Sequence, residues 1–585
     1  MSKWRFPWRP RRASAPAAPA DAPPRPIRGP TLPKGFPDWA GLTTGSAAWA
    51  GRRPGRRGKV LMATNIGGHG PATMLESTLA AALALRDADV EIVLCDAALP
   101  ACLRAEYSDL PDDSILPERR LPSTFCPTCM QRGRAVFEPL GLKIHFLSEL
   151  ITEEERAEAR RIADAIDVAD IEDYAWRGLR IGEHARAGAL RYYTRGDLSD
   201  EPMGEAVLRR YLEASILSAA AYLRLLAEKS YDVAVFHHGL YVPQGPVGEV
   251  CRSLGVRVVN WVVAYRNNSF IFSHEDTYHH TLMTEPAAAW EDLAWGDRQR
   301  DEIRAYLKSR WHGARDWIGF HERPEEDIDA FVRSIGLDPG KPIIGMLSNV
   351  VWDAQLHYPA NAFPNLIDWA VRTIEYFAAR PDLQLLLRVH PGEIRGTAPS
   401  RQPVLAEIAK HLPALPPNVF VIPPESPVST YAAMALCDSV LIYATKMGVE
   451  LTSVGIPVVV AGEAWIKNKG LTYDALSPEQ YFEFLGRLPL GRPLTPEVVD
   501  RALKYAYHFF FRRMIPLPFL KKVESNLFFT VDIRSVDDLA VGQSAALDVV
   551  CDAILEGRPF IYPAEIFGPH DLGHASAGDS PAVTV

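Results

Sequence analysis

A chain of 585 residues, 47% of them apolar, is too long for one hydrophobic core and is expected to form two large domains with tails. A formal net charge of −9 excludes general nucleic-acid binding, and no apolar run approaches the ~20 residues that span a membrane. Seven cysteines, an odd and sparse set, argue for a reducing compartment, and the basic N-terminus lacks the apolar stretch of a secretory signal, so the expectation is a cytoplasmic protein.

Residues 1–57 are rich in Pro, Ala and Arg without apolar periodicity and read as a disordered tail. Lys3, Arg5, Arg9, Arg11 and Arg12 alternate there with Trp4, Phe6 and Trp8, a mix suited to peripheral contact with an anionic membrane face or to a plain solvated tail. Residues 59–64 (KVLMAT) open a strand–helix series, followed by the glycine-rich turn 65–71 with Gly67, Gly68 and His69, and by a helix over 72–86. Such a turn brings a ligand close to backbone N–H groups at a positive helix end. A second strand is expected over 90–96. Cys126 and Cys129 form a lone CxxC with only Cys95 and Cys102 nearby in sequence, and they read as ordinary loop thiols rather than metal ligands. Thr152 and Glu155 make a capping box for a charged helix. Residues 177–197 carry five arginines around Glu183, forks suited to phosphate or carboxylate groups or to ion pairs on a solvated helix face. A long helix over 205–229 leads to a strand over 231–236 that ends at His237, His238 and Gly239. After a strand over 256–263, residues 265–280 are dense in polar aromatics and His, among them Tyr265 and His274. They read as a cleft loop able to hold sugar hydroxyls.

A helical connector over 285–309 precedes a second strand–helix series that begins at residue 341. Short apolar runs at 385–389, 418–422, 439–443 and 457–461 are each followed by Pro, Gly or Thr within two residues. The alternation predicts a parallel sheet covered on both faces, with ligands outside the carboxyl ends of its strands. His390-Pro391, Ser426–Thr430, Thr445–Glu450 and residues 463–469 all fall at those ends. The predicted architecture is α/β: two Rossmann-like domains facing across a cleft. The expected bounds are 58–335 for an acceptor domain with its connector and 336–500 for a donor domain. C-terminal helices over 501–568 should pack across both, with a disordered tail from 569.

One ordered set of motifs carries a family resemblance. Asn349, Trp352, Asp353, Ala354 and Gln355 come first, then Arg388-Val389-His390-Pro391 with Glu393. Ser426, Ser429, Thr430 and Tyr431 follow, and Lys446, Gly448, Glu450 and Pro457 close the set. In order and spacing these resemble the bacterial capsule polysaccharide biosynthesis family, which has the GT-B glycosyltransferase architecture and includes transferases of Kdo from a CMP-activated donor. The resemblance covers roughly residues 59–519. It implies that His390, Pro391, Glu393, Ser426, Ser429, Thr430, Thr445, Lys446, Gly448 and Glu450 bind a nucleotide sugar, with Glu450 on the donor ribose. By the same resemblance the facing wall, with Gly67, Gly68, Gly239, Tyr265 and His274, would hold a glycan or glycolipid acceptor.

An inverting transfer needs a general base in the cleft, for which His69, Glu183, His238 and Asp353 are the candidates. No Asp-x-Asp stands at the end of a predicted strand: Asp87 and Asp89 precede one, and Asp327 and Asp329 lie in a predicted helix. Lys446 and helix N-termini would then supply the positive charge, with no metal and no other cofactor. Two other readings compete, a non-catalytic polysaccharide-binding or export-assembly protein and a nucleotide-sugar 2-epimerase. The Arg-Pro-Glu segment such epimerases carry late in their second domain appears here only at Arg323-Pro324-Glu325, ahead of that domain.

Overall fold

The computed structural model describes residue 32 and residues 35–311, 315–317, 332–333, 335–353, 360–396, 398–523 and 529–570. Its first sheet uses strands β1 (Lys59–Asn65), β2 (Asp89–Leu94), β3 (Lys143–Phe146), β4 (Val233–His237), β5 (Arg257–Val263) and β6 (Ser269–His274). Its second uses β7 (Ile343–Leu347), β8 (Gln384–Arg388), β9 (Val419–Ile422), β10 (Ser439–Ile442), β11 (Val458–Val460) and β12 (Tyr473–Asp474). A late strand, β13 (Ile515–Pro516), returns to the first sheet.

The first sheet runs β13-β6-β5-β4-β1-β2-β3 and the second β9-β8-β7-β10-β11-β12. Apart from the antiparallel β6 and β13, every pairing in these two sheets is parallel. Each sheet therefore follows the doubly wound strand order 3-2-1-4-5-6, in which the direction of winding reverses between the first and fourth strands. The strand period of two explains how both faces are covered. Val60 and Met62 enter one core while Leu61 and Ala63 enter another, and Ile343 and Leu347 separate from Ile344 and Met346 in the same way.

The two domains share a core. Helix Pro496–Tyr507 leaves the second domain and runs through a π-helical turn, His508–Arg513, into β13. Glu285 accepts from His508 at 2.8 Å and pairs with Arg513 at 3.3 Å, fixing that crossing to the first domain. Helix Gly70–Ala84 is buried along its whole length, because helix Ala545–Glu556 and the turn Val536–Leu539 lie over it.

Three differences from the sequence reading have physical causes. Residues 35–57 are ordered where a disordered tail was expected. Trp39 is buried, Asp38 and Ser46 cap two short helices, and Arg57 pairs with Asp552 at 3.3 Å. Composition averages hide such isolated aromatic anchors. Residues 265–280 hold a strand and the start of helix Tyr278–Thr284 rather than one loop. The edge strand β3 reads KIHF, too polar to announce itself. Residues 1–31 and 571–585, the predicted helix over most of 325–334, and Ala354 and Gln355 lie outside the described residues. Among the described residues no helix is long and apolar enough to cross a membrane.

Candidate active site

The two reversal points face each other across a cleft of ≈ 1580 Å³. On the first domain the carboxyl ends of β1 and β4 deliver His69, His237 and His238. On the second, the ends of β7 and β10 deliver Ser348, Asn349, Thr445 and Lys446. Asn349 joins that second pair of strands, its side-chain amide donating to the Ala444 carbonyl and its Oδ1 accepting the Ala444 N–H at 3.2 Å.

The second-domain wall is built for anions. His390 follows β8, and its backbone N–H is held by the Ser348 hydroxyl at 3.0 Å. Its Nδ1 accepts the Gly392 N–H at 3.0 Å, which leaves the proton of the neutral ring on Nε2. Burial, with Lys446 and Arg388 nearby, lowers the His390 pKa to about 4, so at neutral pH the ring is an uncharged N–H donor. Ser429 caps helix Thr430–Ala435 and Thr430 follows it; both line the cleft. Arg388 is almost wholly buried and donates to the Thr430 hydroxyl at 3.2 Å and the Pro423 carbonyl at 2.6 Å, bracing this corner from below.

Lys446 rests over the Tyr265 ring at 4.8 Å and reaches Glu450 at 3.3 Å, while burial lowers its pKa. Glu450 lies beneath the cleft floor. It accepts from Arg310 at 3.2 Å and from the Tyr431 hydroxyl at 2.7 Å. Burial alone would raise its pKa, but Arg310, Lys446 and these hydrogen bonds hold it down to about 2. Arg310 continues to Asp316 at 2.5 Å and to the Tyr306 hydroxyl at 2.9 Å, and Trp311 stacks on Tyr431 with ring centroids 5.7 Å apart. Arg310, Trp311 and Asp316 thus belong to the cleft. They stand about 140 residues before Glu450 in sequence, so no local motif marks them; the one signal was the basic last turn of the connector helix.

The first-domain wall is a stack of rings. His69 packs on His237 at 4.8 Å, His237 on His238 at 4.5 Å, and His238 on Tyr278 at 5.5 Å. Burial, with Arg191 near, lowers both His69 and His238 to about 3, so both are neutral. His69 caps its helix by accepting the Ala72 N–H on Nδ1 at 3.2 Å, which puts its proton on Nε2 and makes it a donor toward the cleft. The His238 Nδ1 atom is buried without a hydrogen-bond partner. Asp353 stands across from these rings with the Tyr241 hydroxyl at 3.4 Å.

The cleft therefore gathers His69, His238, Asp353, Tyr265, His390, Pro391, Ser429, Thr430, Thr445 and Lys446. The other sequence candidates do not line it, and each has another task. Glu183 pairs with Arg180 at 3.3 Å. Glu393 accepts the Val404 N–H at 2.9 Å, and Ser426 accepts that of Val428 at 3.3 Å. Glu450 is buried below the cleft, with Lys446 on its Oε1 and Arg310 and the Tyr431 hydroxyl on its Oε2. A Cβ on Gly448 would meet Ile466 and Ile442 within 3 Å, and one on Gly67 would meet Gly133 and Cys129, so both glycines serve close packing. Gly68 packs on Cys129 in the same way, and Gly239 takes a left-handed φ of +72° at its turn. His274 is bound to the Arg558 carbonyl at 2.8 Å and stacks on Phe560, away from the cleft.

No protein-family model and no curated protein matches the chain. Solved structures do resemble it. One is KpsC of Thermosulfurimonas dismutans, described as a beta Kdo 2,4 transferase: 15% identical over 49% of this chain and 85% of that one, TM-score 0.32. A beta Kdo 2,7 transferase KpsC of the same organism is 12% identical over 55% and 88%, TM-score 0.29. The UDP-GlcNAc 2-epimerase of Methanocaldococcus jannaschii is 12% identical over 76% and 97%, TM-score 0.25. These are distant likenesses, and the fold stands on its own strand order.

Proposed function

We propose that this chain is a glycosyltransferase that moves a sugar from a nucleotide-activated donor to a glycan or glycolipid acceptor in surface or capsular polysaccharide synthesis. The supporting observation is that two doubly wound domains turn their reversal points toward one cleft whose walls differ in chemistry. The second-domain wall offers an anion the His390 Nε2–H, the hydroxyls of Ser429 and Thr430, and the Lys446 ammonium. The opposite wall offers imidazoles and tyrosines, suited to sugar hydroxyls.

In this reading the acceptor hydroxyl attacks the anomeric carbon, the bond from that carbon to the donor phosphate breaks, and the nucleotide leaves with the electron pair. Lys446 and His390 stabilise the charge that gathers on the leaving phosphate. The acceptor proton passes to His238 or Asp353. His69 is a weaker choice than either, because its Nδ1 lone pair is committed to the helix cap and its Nε2 already carries a proton. The charge on the donor side comes from protein groups, so transfer is expected to survive EDTA.

The test is a thermal-shift panel of nucleotides and nucleotide sugars, CMP-activated ones included, followed by a transfer assay with and without EDTA. A ligand that binds only the folded state raises its melting temperature. The expected result is stabilisation by one nucleotide family and transfer from its sugar conjugate. Stabilisation without turnover would favour the binding or export-assembly reading, and release of an epimerised nucleotide sugar would favour the epimerase.

A further inference from the structure

The turn between β5 and β6 has two faces. Tyr265 lines the cleft, while Arg266, Asn267 and Asn268 line a second cavity of ≈ 410 Å³. The turn is one half of a short antiparallel ribbon. Arg266 is bridged to Asp316 through the backbone, the Asn267 N–H donates to the Arg315 carbonyl at 2.9 Å, and the Trp317 N–H donates to the Tyr265 carbonyl at 2.9 Å. Asp316 and Trp317 line the cleft and Arg315 lines the second cavity, so this ribbon is the wall between the two. Strand Leu520–Lys522 lies against it. Lys522 donates to the Asp316 carbonyl at 2.7 Å, and its neighbour Lys521 lines the cavity together with His570.

Charge and hydrogen bonding are unbalanced at this cavity. Among the described residues its lining holds Arg266, Arg315, Lys521 and His570 but no Asp or Glu. Arg266 is 2% exposed, and its two Nη atoms donate to main-chain carbonyls, that of Pro569 and, at 2.9 Å, that of Met514. Its Nε–H is buried without a hydrogen-bond partner. A buried guanidinium answered only by neutral carbonyls is costly until an anion completes it. Asp316 does not serve, because it lines the cleft and Arg310 holds it there at 2.5 Å. The Oδ1 atoms of Asn267 and Asn268 are buried without partners as well. The cavity therefore offers cationic donors and neutral acceptors side by side.

We propose that Arg266, Arg315 and Lys521, with Asn267 and Asn268, form a second binding site that takes a small sugar phosphate. Guanidinium forks and an ammonium suit a phosphate dianion. Bare phosphate would leave the two amide oxygens unpaired, whereas sugar hydroxyls donate to them. The size agrees: ≈ 410 Å³ lies in the range of small-molecule pockets and exceeds what one phosphate fills. The proposal involves binding only, and it does not depend on the reaction proposed above.

The experiment follows the full chain by thermal shift and isothermal titration with glucose 1-phosphate, inorganic phosphate and glucose, each against sodium chloride at matched ionic strength. A ligand of the folded state raises the melting temperature saturably. Glucose 1-phosphate is expected to do so, inorganic phosphate to bind more weakly, and glucose to have no effect. Arg315 and Lys521 are exposed. The double variant Arg315→Ala/Lys521→Ala should therefore keep the unliganded melting temperature while losing affinity on the order of tenfold or more, the effect of one or two lost charge-assisted hydrogen bonds. His390→Ala, on the opposite side of the ribbon in the cleft, should bind glucose 1-phosphate as the wild-type chain does. Stabilisation by both phosphates no greater than that by chloride, unchanged affinity in the double variant, or a loss in His390→Ala that the double variant does not share would each overturn the proposal. Inorganic phosphate bound as tightly as glucose 1-phosphate would overturn the sugar assignment.

Discussion

His390 and Glu450 show how differently two charged or polar residues of one motif set can be used. His390 stands at a strand end with its proton fixed on Nε2 by the Gly392 N–H. His390→Ala should weaken nucleotide binding by roughly 1–3 kcal/mol, the scale of a hydrogen bond to a charged group. Isothermal titration checks this, and unchanged affinity in a folded variant would reject the donor-side assignment. Glu450 was legible in sequence as an acid near the site, but its partner Arg310 comes from the connector helix, so its role was not. Removing one partner of a buried ion pair costs about 3–5 kcal/mol. Glu450→Gln should lose stability on that scale in urea unfolding, because Arg310 and Lys446 then face each other with less compensation. His69→Ala, by contrast, should reduce transfer to acceptor while nucleotide affinity holds. Abolished nucleotide binding in that variant would mean the two walls are assigned the wrong way round.

Elements were more legible than side chains. The period of two, the short apolar runs and the Gly or Pro at their ends revealed most of the central strands of both sheets, and the strand ends they marked at His69, His238, His390 and Thr445 line one cleft. What stayed hidden depended on distant chain. β13 adds a two-residue strand to a sheet whose other members end about 240 residues earlier, and nothing in Ile515–Pro516 reports that partner. Glycine was read as a ligand-facing residue where the structure uses it for packing. Helix Met447–Ser453 is wholly buried and approaches Ile442 and Ile466 so closely that a Cβ on Gly448 would stand 2.8 Å from Ile466. Gly448→Val should therefore destabilise the chain by about 1–3 kcal/mol through overpacking. A full loss of nucleotide binding with unchanged unfolding would restore the ligand-facing role instead.

At the scale of the whole molecule the two domains meet at a titratable contact beside the cleft. Helix Tyr278–Thr284 of the first domain presents His279 and His280 to Glu463, which follows β11 of the second. His280 is 3.2 Å from Glu463 through Nε2 and 3.2 Å from Asp276 through Nδ1, and His279 lies 3.8 Å from Glu463. Burial works against a charged His280 ring, but hydrogen bonds with Asp276 and Glu463 outweigh it and raise its pKa to about 10. The folded value lies above the unfolded one of about 6.5. The contact therefore contributes its full stability below about pH 6.5 and loses it as pH rises through 10. Glu463 is shifted the other way: burial would raise it, and the His280 hydrogen bond leads the effects that lower it, so its share is present above its unfolded value near 4.5 and fades in acid. Lys469 also titrates in the alkaline range, since burial lowers it to about 8, so the raw pH profile mixes several groups. Comparison with His280→Gln isolates the contact. The melting-temperature gap between the wild-type chain and this variant should be largest near pH 6 and shrink toward pH 10. A gap constant across that range would show that His280 carries no charge in the folded protein.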